Sequence, residues 1–245
     1  MDNQFSRSEL LLGPESTGIL AGKTVAVFGI GGVGSFAAEA LARSGIGNFV
    51  LVDNDIVSLS NINRQIIALH STLDRPKVDV MRERILDINP AAQVTALQLF
   101  YKEETANAFD FSGFSYILDC IDTVSSKLLL IQEAERYNIP LISTMGTGNK
   151  LDPTRLEFAD IKETGTCPLA RIMRRELKKR GIKKLTVLYS REDPLRPHQD
   201  GDVQEADCDM SMVPGKRTIP GSVPFVPPAA GLMIAGKVVT DLLKK

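Results

Sequence analysis

The stretch VFGIGGVGS, Val27–Ser35, decides how the rest of the chain is read. The run KTVAVFG (Lys23–Gly29) that leads into it is continuously apolar and β-branched, which predicts a buried strand. VGSFAAEALARSG (Val33–Gly45) then predicts a helix rich in Ala and Leu, with Gly45 as its stop. Glycines at Gly29, Gly31, Gly32 and Gly34 let the chain turn tightly between the two. They also let backbone N–H groups approach a phosphate at a helix N-terminus, where the helix dipole favours negative charge. The loop by itself leaves three alternatives open: a dinucleotide held for redox, ATP held to activate a carboxylate, or a tight structural turn.

Moving outward, NFVLVD (Asn48–Asp53) predicts a second strand and completes a right-handed βαβ unit. KVDVMRERILDIN (Lys77–Asn89) predicts a helix stopped by Pro90, and QVTALQLF (Gln93–Phe100) a strand. YILDCID (Tyr116–Asp122) predicts a buried strand ending in an acid, SKLLLIQEAERYN a helix, and IPLISTMGTGN a further strand that ends at Asn149. This alternation implies an α/β, doubly wound, Rossmann-like and mostly parallel sheet, with ligand at the carboxyl ends of the strands. Beyond Asn149 the strands weaken and Pro, Gly and charge increase, so residues 1–149 are read as the ATP- or dinucleotide-binding part. Residues 150–245 are read as a smaller α+β portion of the same domain. There CPLARIMRRELKKRGI predicts a helix, KLTVLYS a strand, Arg191 to Gly221 a partly disordered loop, and LMIAGKVVTDLLKK a last helix after the proline-rich PGSVPFVPPAAG.

Bulk properties narrow the function. With 245 residues and 43% hydrophobic content the chain can bury a full core. A net charge of −1 offers no whole-protein field for nucleic acid, so any such binding needs a local patch. Cys120, Cys167 and Cys208 are three and widely spaced, which excludes a disulfide framework and a paired C-x-x-C zinc site and favours a reduced, cytoplasmic setting. No basic-then-apolar leader and no run of about eighteen apolar residues is present, so neither targeting nor membrane insertion is expected. His70 and His198 lack metal-ligand spacing and are read as surface residues, Cys120 as core filler and Cys208 as a loop residue.

The chemistry lies after the loop. Asp53 ends the second strand about twenty residues on, where a carboxylate accepts from ribose hydroxyls of NAD or ATP alike. In DNDIVSLSNINRQ (Asp53–Gln65), Asn61, Asn63 and Arg64 supply the amides and cation that a triphosphate needs, where a nicotinamide would need an apolar slot. Lys77 opens the next helix and Asp122 ends a strand at the same sheet edge, so a cation and a carboxylate converge there to hold phosphate and magnesium. Asp122 also reads as an N-cap for the following helix.

GIGGVGS, ALARSGIG, LVDNDIVSLSNINRQ, Lys77, RILDINP and DCIDT, in that order, resemble the ubiquitin-activating-like (MoeB/ThiF/HesA) adenylation family. IPLISTMGTGNKLDPTRLEFADI, PLARIMRRELKKRGI and PGSVPFVPPAAG resemble its branch that dehydrates threonylcarbamoyladenosine in tRNA. The likeness covers nearly the whole chain and is weakest over Asp193–Arg217. It implies the E1-like adenylation fold, ATP with magnesium, a homodimer and a tRNA substrate. It places phosphate contacts on Gly29, Gly31, Gly32 and Gly34, and ribose on Asp53 with Asp55 beside it. Asn61, Arg64 and Lys77 fall on the phosphate side, Asp122 at the metal, and Arg7 on the arginine lent across the dimer interface. Asp122, Arg64, Lys77 and Arg7 are thus the implied catalytic set. A sulfur-relay protein is a further conceivable partner.

Two departures bear on the choice of substrate. The four zinc cysteines of sulfur-transferring members are absent, and Cys167 stands where this branch is expected to carry a non-nucleophilic residue. The rival inside the family is adenylation of the C-terminal glycine of a ubiquitin-like sulfur carrier. Outside it stand an NAD oxidoreductase and a nucleotide-binding regulatory module. On the helix from Leu169, the residues Leu169, Ile172, Met173 and Leu177 share one face, and Arg171, Arg174, Arg175 and Lys178 the other, a solvated surface or a tRNA-binding one. The carbonyls of Pro220, Pro224, Pro227 and Pro228 could gather around a monovalent cation, K⁺ or Na⁺, or simply form a rigid loop.

Overall fold

The computed structural model describes residues 3–198 and 220–244. Helices α1 (Ser6–Leu12) and α2 (Ser16–Ala21) precede strand β1 (Thr24–Phe28), helix α3 (Gly34–Arg43) and strand β2 (Asn48–Val52). Then come α4 (Lys77–Ile88), β3 (Gln93–Leu97), the short α5 (Glu103–Ala106), β4 (Tyr116–Asp119), α6 (Val124–Arg136) and β5 (Leu141–Thr144). β6 (Leu156–Asp160), α7 (Pro168–Lys179), β7 (Thr186–Ser190) and α8 (Val226–Leu243) complete the chain. The sheet runs β3-β2-β1-β4-β5-β7-β6. Every pairing is parallel except that of edge strand β6 with β7.

β4 and β5 are buried at every position and β1 at all but Thr24, because helices cover both faces. Alternation along β1 divides the core: Val25 and Val27 face α3, α4 and α8, whereas Ala26 and Phe28 face α6 and α7. Strand order reverses between β1 and β4, since β2 and β3 extend one way and β5, β7 and β6 the other. That crevice is where open α/β sheets take their ligands.

The segment after Asn149 forms no separate layer. β7 and β6 extend the same sheet, and α8 packs against α3. The contact is close, because a Cβ on Gly231 would lie 2.4 Å from the Val33 carbonyl oxygen. α8 begins at Val226, six residues before the predicted Leu232. Pro227 and Pro228 sit in its first turn, where the missing N–H groups have no intrahelical partner to lose. α8 alone among the described residues is long and apolar enough to cross a membrane, and half of it is buried inside the domain. Cys208 and most of the expected loop after Arg191 lie outside the described residues.

Candidate nucleotide site

The loop between β1 and α3 is held by its own geometry. Gly29 has φ +91°, and a Cβ there would lie 2.6 Å from the Cys120 carbonyl oxygen. A Cβ on Gly34 would lie 1.9 Å from the Gly29 oxygen. Both positions need glycine for reasons internal to the protein. Gly31 is different: a Cβ there would meet nothing closer than the Gln65 amide nitrogen at 3.9 Å. Its absence of side chain leaves a space open above the loop. The backbone N–H groups of Gly32, Val33 and Gly34 have no hydrogen-bond partner among the described residues, so they remain available at the head of α3.

Asp53, one residue past β2, braces the loop. Its Oδ2 accepts from the Ile30 N–H at 2.6 Å and its Oδ1 from the Asp55 N–H at 2.8 Å. Burial raises its pKa and the Lys77 ammonium opposes the rise. Asp55 through Val57 runs against Asp74 through Lys77, with the Val57 N–H on Arg75 and the Lys77 N–H on Asp55. This brings the Lys77 ammonium, 6% exposed, to 2.6 Å from Asp55 Oδ2. Asp55 therefore enters the site as the partner of Lys77. Arg64 donates to the Ser60 carbonyl at 2.8 Å and to Asn63 Oδ1 at 3.0 Å. Its Cγ would lie 3.5 Å from a Cβ on Gly32, so its stem lies against the loop. Asn61 is buried, its Oδ1 accepting from the Ser58 N–H. Asn63 is tied instead to the Ser222 carbonyl at 2.9 Å, linking the site to the segment before α8.

Asp122 is exposed and makes no hydrogen bond or ion pair among the described residues. β4 ends at Asp119, not Asp122, and Thr123 is the N-cap of α6, with no side-chain bond of its own. The capping reading of Asp122 is thereby corrected, and its carboxylate is left for a ligand. No cluster of three or more His, Cys, Asp or Glu able to cage a metal occurs among the described residues.

Sequence reasoning missed two groups here. Gln65 is buried beside Gly31, and its Oε1 lacks a partner. Asp119 and Lys127, both fully buried, form an ion pair at 3.0 Å beneath the turn that carries Asp122. A lysine inside the apolar run SSKLLL and an acid inside YILD were the signals that would have found the pair.

The remaining expected residues lie farther afield. Arg7 is exposed on α1, beside Leu10 and Leu11, which are 85% and 90% exposed. On α7, Ala170, Met173 and Leu177 face the core while Leu169 and Ile172 are half-buried. Arg171, Arg175 and Lys178 are exposed, but Arg174 turns back to donate to the Thr164 carbonyl at 2.8 Å and to the Thr164 hydroxyl. Arg174 is thus removed from the expected basic face. Glu176 gathers Arg175, Lys179 and Arg180, whose hydrogen bonds hold its pKa down at about 2. Cys167 is buried at the N-cap of α7. Cys120 is half-buried just past β4, and burial pushes its thiol up to about 12, so neither cysteine is presented as a nucleophile. Pro227 and Pro228 belong to the first turn of α8, so of the four expected prolines only Pro220 and Pro224 precede the helix. A groove of about 570 Å³ lined by Leu141, Phe158, Asp160 and Lys184 opens at the opposite edge of the sheet, away from all these groups.

Residues 5–245 match the model of the ThiF family. The chain is 49% identical over 245 residues to the tRNA threonylcarbamoyladenosine dehydratase of Bacillus subtilis, covering 100% of this chain and 96% of the relative. It is 40% identical over 208 residues to the enzyme of the same name from Escherichia coli, covering 82% and 78% of the two chains. The crystal structure of that E. coli tRNA N6-threonylcarbamoyladenosine dehydratase, TcdA, in complex with ATP superposes with a TM-score of 0.86 at 33% identity, covering 98% of this chain and 93% of the other.

Proposed function

We propose, for a chain that belongs to the ThiF family, that it is an ATP-dependent tRNA threonylcarbamoyladenosine dehydratase acting through the crevice between β1 and β4. The observation that carries the reading is the carboxyl edge of the sheet: amides at the head of α3 and an Asp122 carboxylate that are without partners among the described residues, on the edge that also carries Lys77 and Arg64. Full-length similarity to dehydratases of that name, and likeness to an ATP complex, support it.

The amides of Gly32 to Gly34 cradle phosphate, and Asp53 stands at the end of β2 for the ribose while bracing the loop. Asn61, Arg64 and Lys77 lie on the phosphate side, with Asp55 holding the Lys77 ammonium in register. A carboxylate oxygen of the threonyl group attacks the α-phosphorus, the bond to pyrophosphate breaks, and an acyl adenylate results. Arg64, Lys77 and Arg7 from a second copy of the chain bear the negative charge that develops on the departing pyrophosphate. Asp122 would hold magnesium, which when bound neutralises phosphate charge. A nucleophile within the same modified side chain then attacks the activated carbonyl carbon, AMP leaves, and the ring closes with net loss of one water. Effective molarity for such an intramolecular attack reaches about 10⁵–10⁸ M, so no enzyme thiol is needed. The burial of Cys167 and the raised pKa of Cys120 agree with that.

The tRNA phosphates would meet Arg171, Arg175 and Lys178 of α7 in the 150–245 portion, which also serves dimerisation. A cytoplasmic homodimer follows from this reading, with no membrane partner, and a sulfur-relay protein is not required for the reaction. Mass spectrometry of tRNA nucleosides from cells with and without this chain tests it. Appearance, with the chain, of a species one water lighter than threonylcarbamoyladenosine is expected, and Cys167→Ala should support it equally. An unchanged profile, with a thioester trapped on Cys167, would transfer the chain to the sulfur-carrier rival.

A further inference from the structure

The carboxylate of Asp122 has no partner among the described residues, so its aim is inherited from the turn Cys120–Thr123 between β4 and α6. That turn is fixed by a buried network. Asp119, the last residue of β4, accepts from the Ile121 N–H through Oδ1 at 3.3 Å. Its other oxygen, Oδ2, accepts from Lys127 Nζ at 3.0 Å and from the Ser143 hydroxyl at 2.5 Å. Lys127 also donates to the Ser143 oxygen at 3.2 Å, which closes a triangle of three fully buried side chains. The Thr144 hydroxyl holds the Asp119 carbonyl at 3.1 Å, and the Cys120 N–H donates to Phe28 at 2.8 Å.

Lys127 lies one turn inside α6, and its N–H returns to the Thr123 carbonyl at 3.0 Å. The ion pair therefore joins the residue before the turn to the helix that follows it, while Ser143 ties both to β5. A buried ion pair gives little net stability over well-packed apolar side chains of the same volume. What it does supply is a single geometry, because its charges and hydrogen bonds tolerate few arrangements. Asp119 spends one oxygen on the pair and the other on a backbone N–H of the turn, so that geometry passes directly to the residue before Asp122.

We infer that Asp119, Lys127 and Ser143 are positioning residues that aim the Asp122 carboxylate at the metal and phosphates. This rests on the proposed role of Asp122. The test replaces the pair together, Asp119→Leu with Lys127→Met, in the full chain, so that no buried charge is left alone. Three readouts are taken: amide hydrogen exchange of residues 120–123, Mn²⁺ affinity in the presence of ATP by electron paramagnetic resonance, and pyrophosphate exchange into ATP. The expected result is an unchanged melting profile, turn amides exchanging about tenfold faster, Mn²⁺ bound about tenfold more weakly, and slower exchange with KM for ATP within about twofold. A folded variant with wild-type amide protection and Mn²⁺ affinity overturns the inference. Should the paired variant not fold, Ser143→Ala gives the same readouts, with smaller shifts in the same directions expected and their absence overturning it. Asp122→Asn serves as the control: if it alone leaves Mn²⁺ affinity and exchange intact, the reading of Asp122 fails, while the amide data still judge the network.

Discussion

The two halves of the sheet are built by different rules. From β1 to β3 each strand pairs with its neighbour in sequence, and Gly29 and Gly34 of the loop are dictated by backbone oxygens less than 3 Å from where a side chain would begin. From β5 onward the order is crossed: β7 passes β6 to pair with β5 and takes β6 antiparallel on its outer edge, and α8 returns across the domain to lie against α3. In the first half the loop backbone is fixed by close contacts within the chain. The second carries paired charges at its surface, as in the cluster around Glu176. Sensitivity to substitution should follow this division.

Gly34→Ala should have the largest effect, since a Cβ placed 1.9 Å from the Gly29 oxygen cannot be absorbed by a side-chain rotation. We expect a loss above about 3 kcal/mol and little folded protein by thermal melting, whereas Gly31→Ala, with open space before it, should melt as wild type and lose ATP affinity. Equal stability of the two variants would remove the claim that the loop is held by internal contacts. Asp122→Asn comes next. Pyrophosphate exchange should fall by about 10²-fold or more while the melting temperature stays within about 2 °C, because the side chain is exposed and makes no hydrogen bond or ion pair among the described residues. A large drop in melting temperature would instead make Asp122 structural.

Across the divide, Arg171→Glu with Arg175→Glu should weaken tRNA binding and lower the slope of log affinity against log salt by about 2, leaving ATP binding alone. An unchanged slope would mean that α7 is only a solvated face. The smallest effect concerns Glu176. Its pKa is held below the ordinary carboxylate value, so its contribution is present above the unfolded pKa near 4.5 and is lost as pH falls toward about 2. Glu176→Gln should therefore flatten stability over that acid range in denaturant titrations, lowering it slightly at neutral pH and leaving it unchanged at the acid end, where the carboxylate is protonated in both states. Because the pairs lie in water, the shift should be slight and erased by salt.

Legibility in the sequence tracked the same division. The βαβ unit and the glycine loop were readable because both are set by local hydrophobic period and by glycine at a strand end. α1 and α2, each of seven residues or fewer, and edge strand β6 were not, since short half-exposed segments carry little periodicity. Arg174 was misplaced because helical spacing assigns a face but not a rotamer, and its guanidinium reaches back ten residues to Thr164. The start of α8 was missed because two prolines read as a breaker, although in a first turn they are tolerated.

By itself the sequence determined the class of fold and the glycine loop after the first strand, because those depend on hydrophobic period and on glycine, which act locally. Only the tertiary structure decided which polar groups are already taken. It pairs Asp55 with Lys77, Asp119 with Lys127 and Ser143, and Arg174 with Thr164, and it leaves Asp122 without a partner among the described residues. The reason is physical: a charge finds its partner through space, across residues far apart in the chain, and the cost of burying it alone is set by everything that packs around it.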